Sequence, residues 1–299
     1  MLYRKLADFY NEASSTPKRL EKTKILAKFL KDIKESDKDV LYLLLGDIYP
    51  EYDERKIGIS SQLAIKAIAK ASGNDKNDVI SEWKSLGDLG EVAEKLKKHG
   101  RQATLQKHVL TTEKVIKNLR ELPELVGKGT VGRKISLIVD LLASASPIES
   151  KYLIRTLIGD LRIGLKESTI KESMTAAFFP DRDKKEISKK IQEAIDNSND
   201  IASVFEVAKK GKTDGLMKIL LVVGKPVKVM LAQKTETIAE GFNALGKPCA
   251  IEYKYDGFRM IIHKKGDEII LFTRRLENVT NQFPEVVEYV KKHVKGDSF

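Results

Sequence analysis

Up to Lys209 the apolar positions recur three and four residues apart, the spacing of an α-helix. Leu26, Phe29, Leu30 and Ile33 make one such stripe. Thr16-Pro17 just upstream sets a capping hydroxyl ahead of a proline at the first helical position. Leu63, Ile65, Ala67, Ile68 and Ala71 make a second stripe among strong helix formers, and Gly73 stands where a helix would close on a left-handed residue. The stretches Ser136–Ala145, Ile148–Ile158 and Glu186–Ala194 repeat the pattern. The opening MLYRKLADFYNEA is amphipathic and carries acids, which predicts a folded helix and not a signal peptide.

The pattern changes at KKGKTDG, from Lys209 onward, where glycine and lysine give the composition of a linker, assigned to residues 211–224. Beyond it the runs KPVKVMLAQ at 225–233, AIEYK at 250–254, FRMIIHK at 258–264 and EIILFTR at 268–274 read as strands, and Lys265-Gly266-Asp267 predicts a hairpin between the last two. The expected fold is an all-α domain over residues 1–210 followed by the beginning of an α+β domain over residues 225–299. Only a few strands have been laid down by Lys295-Gly-Asp-Ser-Phe299. A sheet so short would leave apolar faces and edges open, so the chain is expected to be the leading portion of a longer protein.

Composition narrows the partners. At 299 residues with 41% hydrophobic side chains, the chain can bury a core in each of two domains. Its 54 Lys and Arg against 43 Asp and Glu leave a formal charge of +11, which favours a polyanion. No run approaches the roughly 20 apolar residues of a membrane-spanning helix, so nucleic acid is the expected partner and a membrane is not. The single Cys249 excludes an intramolecular disulfide and suits a reducing, cytoplasmic setting. Four histidines without metal-ligand spacing give no reason to expect structural zinc.

Residues 252–259, EYKYDGFR, carry the chemistry. Taken alone, Asp256-Gly257 is a common turn and Lys254 a solvated charge. Yet a lysine, unlike an arginine, can become a nucleophile when burial or neighbouring cations depress its pKa. Arg259 and Arg274 would supply such cations if the strands fold back, and they would suit the phosphates of a nucleotide. A lysine nucleophile between arginine clamps is the arrangement of a nucleotidyl-transfer site.

Lys254-Tyr-Asp-Gly-Phe-Arg259 resembles motif I, Lys-x-Asp-Gly-x-Arg, of the nucleotidyltransferases that include DNA ligases, RNA ligases and mRNA capping enzymes. Upstream, Val229-Met-Leu-Ala232 is similar to the Pro-Met-Leu-Ala segment that opens the adenylation domain of ATP-dependent DNA ligases. Downstream, Phe272-Thr-Arg-Arg-Leu-Glu-Asn-Val-Thr280 resembles their Ser-Arg-x-x-Glu-x-x-Thr motif, with Thr273 in place of the serine. In the helical part, Tyr152-Leu-Ile-Arg155 with Leu161-Arg-Ile-Gly164, and Gly87-Asp-Leu-Gly-Glu-Val-Ala93, resemble signatures of the DNA-binding domain of archaeal and eukaryotic replicative ligases. The resemblance covers nearly the whole chain and favours a DNA ligase over a capping enzyme.

That resemblance implies a sequence of roles. Lys254 would attack the α-phosphate of ATP, release pyrophosphate and carry AMP, which then passes to the 5′ phosphate of a nick in double-stranded DNA. Glu252 would meet the adenine, Arg259 and Arg274 the phosphates and ribose, and Asp256 would shape the loop and support a metal. Mg²⁺ (or Mn²⁺) is implied to shield the phosphates. Arg162, Gly164 and Lys166 would meet DNA phosphates at a glycine turn. Lys128 and Arg133, in the glycine-rich Gly127–Arg133 loop, would lie near the duplex; that loop lacks P-loop spacing. Gln102–Val109 has glutamine and leucine at the spacing of a sliding-clamp-binding box, with His108 and Val109 where paired aromatics would stand. The implied setting is the cytoplasm, associated with the nucleoid. The later ligase motifs and the OB-fold fall outside this sequence. A nucleic-acid-binding module without chemistry of its own and an RNA ligase remain the alternatives.

Overall fold

The computed structural model describes residues 1–99, 109–229 and 232–299 of a helix-rich molecule that divides into two units, Met1–Leu220 and Leu221–Phe299. The first unit holds α1 (Tyr3–Ser14), α2 (Arg19–Asp32), α3 (Val40–Leu44), α4 (Ser61–Ser72), α5 (Lys76–Leu86), α6 (Leu89–His99), α7 (Thr112–Glu124), α8 (Thr130–Ser144), α9 (Pro147–Leu157), α10 (Glu167–Phe178), α11 (Lys184–Ser198), α12 (Ile201–Lys209) and α13 (Thr213–Met217). The second holds α14 (Ile238–Leu245), β1 (Met260–Lys265), β2 (Glu268–Thr273) and α15 (Pro284–His293). The stretch read as a linker over 211–224 contains α13, whose Leu216 is buried.

Local chemistry sets the helix ends. Ser60, Asp75, Thr111, Asp183 and Asp200 stand before α4, α5, α7, α11 and α12, and each side chain accepts a hydrogen bond from an amide of the first turn. Gly73 closes α4 at φ +69°, a conformation that costs a side-chain-bearing residue more than glycine. Helix α2 begins at Arg19, two residues later than the Thr16-Pro17 signal predicts. The Thr16 hydroxyl accepts from the Lys18 amide (3.2 Å) and donates to Glu21 Oε2 (2.5 Å), so it is spent on a turn ahead of the helix.

Aromatic side chains and close helix contacts build the first unit's core. Tyr3, Tyr10, Tyr152 and Phe205 are fully buried. Phe9 stacks on Phe29 with centroids 4.2 Å apart, Tyr10 lies 5.0 Å from Tyr152, and the Tyr10 hydroxyl donates to the Leu43 carbonyl at 2.7 Å. Helix α6 packs on α9, α2 on α10 and α4 on α8. The α6–α9 crossing is the tightest to explain from sequence, because it runs over Gly90. A Cβ there would meet the Lys151 carbonyl oxygen at 2.6 Å and Arg155 Cγ at 2.8 Å.

In the second unit β1 and β2 form an antiparallel hairpin, Met260 opposite Thr273 and Lys265 opposite Glu268, turned by Gly266-Asp267. Ile269, Leu271, Val279 and Val290 make its small core under α15. The buried Lys264 ammonium donates to the Val294 carbonyl (3.0 Å) and the Gly296 carbonyl (2.5 Å), placing a cation at the carboxyl end of α15. The Gly224 amide donates to His263 Nδ1 at 2.8 Å, and burial holds that imidazole below its ordinary pKa.

Two expected strands are not formed: the described residues of 225–233 and all of 250–254 are irregular. A strand needs an open edge to pair with. Here part of the outer edge is taken: Lys264 of β1 is bonded to Phe299, Gly266 of the turn to Asp297, and Leu271 of β2 to Val279. Residues 251–259 lie exposed instead.

Two glycines in helices should respond oppositely to alanine. Gly90→Ala should cost about 3 kcal/mol, because the backbone oxygen it meets has no room to yield. Gly132→Ala, in α8 with nothing within 4 Å of its Cβ position, should gain about 0.5–1 kcal/mol from helix propensity. Chemical denaturation of the two variants checks both signs.

Candidate functional site

The segment 252–259 joins the irregular backbone to β1. Glu252, Lys254, Asp256 and Arg259 are exposed, as are Tyr253 and Tyr255, each at 88%. The segment's end is anchored where Phe258 stacks on Phe283 with centroids 5.3 Å apart. Met260 faces Thr273, so Arg259 and Arg274 emerge at the same end of the hairpin, each one residue beyond the last pair.

Arg274 is held there by its neighbours. The Thr273 hydroxyl donates to Glu277 Oε2 (3.1 Å) and accepts from the Arg275 amide (3.1 Å), while the Thr273 amide donates to the Glu277 carbonyl (2.9 Å). Leu276 takes a left-handed φ of +68° and is buried, and the Thr280 hydroxyl accepts from the Leu271 amide at 3.0 Å. The threonine, glutamate and threonine of this stretch thus close a turn on β2, with Arg274 exposed at its start. Threonine at 273 keeps the hydroxyl that a serine would supply. The structure therefore sets the two arginines at one end of the hairpin and leaves Lys254, Glu252 and Asp256 on the exposed segment, short of an assembled pocket.

In the first unit the two sequence signatures meet. Asp88 stands ahead of α6, and its Oδ1 accepts from the Gly90 amide (2.7 Å) and the Glu91 amide (3.1 Å). Arg155, from α9, grips the same carboxylate with Nε at 3.1 Å and Nη2 at 2.8 Å from Oδ2; both side chains are buried. Arg162 adds Nη1 at 3.2 Å from Asp88 Oδ2, and its Nε pairs with Asp160 Oδ2 at 2.7 Å. Burial pushes the Asp88 carboxyl up, but the hydrogen bonds from Arg155 and the Glu91 amide and the charges of Arg155 and Arg162 outweigh it and hold the group below the usual value.

The turn that follows α9 carries Arg162 at φ +54° and Gly164 at φ +65°. For arginine that conformation costs about 1–2 kcal/mol, which its ion pairs offset. Gly164 and Lys166 are exposed. The buried Lys22 of α2 donates to the Ile163 carbonyl. In the Gly127–Arg133 loop the Arg133 guanidinium donates to the Val126 carbonyl at 2.8 Å, tying the loop to the start of α8, and Lys128 is exposed. Most of the clamp-like box, Gln102 to His108, lies outside the described residues, as do Met230 and Leu231. No group of three or more metal-ligating side chains occurs among the described residues, and no helix there is long and apolar enough to cross a membrane.

Comparison with known proteins fits these pieces together. Residues 2–175 match the family described as DNA ligase N terminus, and residues 229–299 match the ATP dependent DNA ligase domain. The chain is 40% identical over 301 residues to a DNA ligase of Methanosphaera stadtmanae, covering 99% of this chain and 53% of that protein. It is 37% identical to DNA ligases of Nanoarchaeum equitans, with 99% and 51% covered, and of Methanothermobacter thermautotrophicus, with 100% and 52% covered. The chain belongs to the DNA ligase family. It spans about half the length of the curated relatives it matches.

Sequence reasoning named Arg162 but missed the roles of Asp88, Arg155 and Lys22. For Lys22 a signal was present, since Lys22, Leu26, Phe29 and Ile33 share one helical stripe and a lysine on it is out of place. For the buried pair the structure predicts a strong effect. Removing the Asp88 charge by Asp88→Asn should destabilise the protein by about 3 kcal/mol, because Arg155 stays buried without its counterion. A depressed carboxyl stabilises the fold above its unfolded pKa, and that contribution is lost as pH falls through the folded value. Melting curves across acid pH should therefore fall more steeply in the wild type than in Asp88→Asn.

Proposed function

We propose that this chain is the DNA-binding and nucleotide-loading portion of an ATP-dependent DNA ligase that seals nicks in duplex DNA. In this reading an all-α DNA-binding domain is followed by an α+β nucleotidyltransferase domain that includes the β1–β2 hairpin. The observation that carries it is the union, in a member of the DNA ligase family, of Lys254 on an accessible segment with Arg259 and Arg274 at one end of the adjoining hairpin.

The chemistry follows from those residue types. Lys254 attacks the α-phosphate of ATP through its deprotonated amine, forming an N–P bond as the bond to pyrophosphate breaks, and the guanidinium groups of Arg259 and Arg274 offset the charge on the phosphate oxygens. Glu252 receives the adenine. Mg²⁺ suits one or two carboxylates together with substrate phosphates and waters, and Asp256 supplies one such carboxylate two residues from Lys254. When bound, the ion would shield the triphosphate from the approaching amine. The AMP is then passed to the 5′ phosphate of the nick and displaced by the 3′ hydroxyl.

The basic first unit supplies the hold on duplex DNA through Lys128, Arg133, Arg162, Gly164 and Lys166, without base readout, which accords with a nucleoid location. A sliding-clamp contact at Gln102–Val109 belongs to the same proposal.

Two measurements test this reading. Duplex binding by the chain should weaken about 10³- to 10⁵-fold between about 50 and 200 mM salt if 6–10 phosphates are contacted, and it should not depend on base sequence. In the polypeptide extended to the length of its relatives, Lys254→Arg should abolish covalent capture of AMP while duplex binding and the melting curve stay unchanged. Wild-type AMP capture by the arginine variant would reduce Lys254 to a surface charge.

A further inference from the structure

Lys22 is 8% exposed, although it lies in a lysine-rich helix whose other cations reach solvent. An ammonium has three donors and a full charge, and burying it with donors unmet is costly. Among the described residues its one hydrogen-bond acceptor is the Ile163 carbonyl, and it makes no ion pair there. A glutamine could serve a lone carbonyl without a buried charge, so a purely structural role leaves the ammonium unexplained.

Its position gives the explanation. A Cβ built on Gly164 would meet Lys22 Nζ at 2.6 Å, so the ammonium stands directly beside the bare Cα of a glycine that is itself exposed. The turn is fixed on its other side by Arg162, committed to Asp160 and Asp88. Lys166, exposed two residues on, adds a second positive charge to the same turn.

We infer that Lys22 and the Gly164 turn form a binding site for one phosphate of the DNA backbone. The phosphate seats against the exposed turn at Gly164, where a side chain would displace the ammonium, and one oxyanion accepts the hydrogen bonds that the Ile163 carbonyl leaves unused. Lys22 is then a phosphate-binding residue whose ammonium stands in the place of the side chain that Gly164 lacks. The inference rests on the reading that the first unit binds duplex DNA.

The test uses the 299-residue chain, a labelled duplex and salt titrations of wild type, Lys22→Gln and Lys22→Met, each with a melting curve. Glutamine retains a donor for the Ile163 carbonyl and removes the charge. The expected result is a slope of log affinity against log salt shallower by about 0.9 in both variants. That corresponds to roughly eightfold weaker binding at about 0.1 M salt, one decade below a reference of about 1 M. A wild-type slope in Lys22→Gln overturns the inference and leaves duplex binding by the first unit standing. Absence of salt-dependent binding in the wild type overturns both. Should both variants unfold, acetylation of Lys22 in the wild type decides: protection by duplex supports the site, and equal labelling with and without duplex overturns it.

Discussion

The crossing of α6 over α9 buries a carboxylate, Asp88, and the turn beyond α9 is built around keeping it charged. Arg155 neutralises it with two hydrogen bonds, the first amides of α6 saturate its other oxygen, and Arg162 reaches in from the turn beyond α9. Gly90 makes this possible, since the distance that admits the Arg155 stem excludes a methyl group. The ion pair is thus a latch between the packed core and an exposed turn. A turn with two left-handed residues in three would otherwise be a poor candidate for a fixed shape.

The same economy of parts appears in the second unit, where Thr273, Glu277 and Thr280 spend their side chains on closing a turn and leave Arg274 free at its rim. In both units residues that resemble a functional signature divide into those that build the backbone and those that the backbone displays. Asp88, Arg155, Thr273 and Glu277 are of the first sort. Lys166, Lys254, Arg259 and Arg274 are of the second.

Much of this was legible before the structure. Helical periodicity located α4, α8, α9 and α11, with Gly73 marking the end of α4, and Lys265-Gly266-Asp267 located the hairpin, because these signals are local. The strands expected at 225–233 and 250–254 failed for a non-local reason: β propensity says nothing about whether an edge is open to receive them. Motif spacing singled out Lys254 and its arginines, yet only the register could put Arg259 beside Arg274 at one end of a hairpin. Asp88 and Arg155 stood out only as parts of a signature and Lys22 was passed over, since burial of a charge depends on which helices cross and not on the residues beside it.

The central claim is that the turn latched by Asp88 is the face that meets DNA, and hydrogen exchange reads that face directly. Backbone amide exchange of the chain should be followed by mass spectrometry with and without a short nicked duplex at low salt. Amides of residues 159–166 should gain protection on adding the duplex, together with those of 127–133, while α12 keeps its free rates. Unchanged exchange at 159–166 under saturating duplex, with protection elsewhere, would contradict the account.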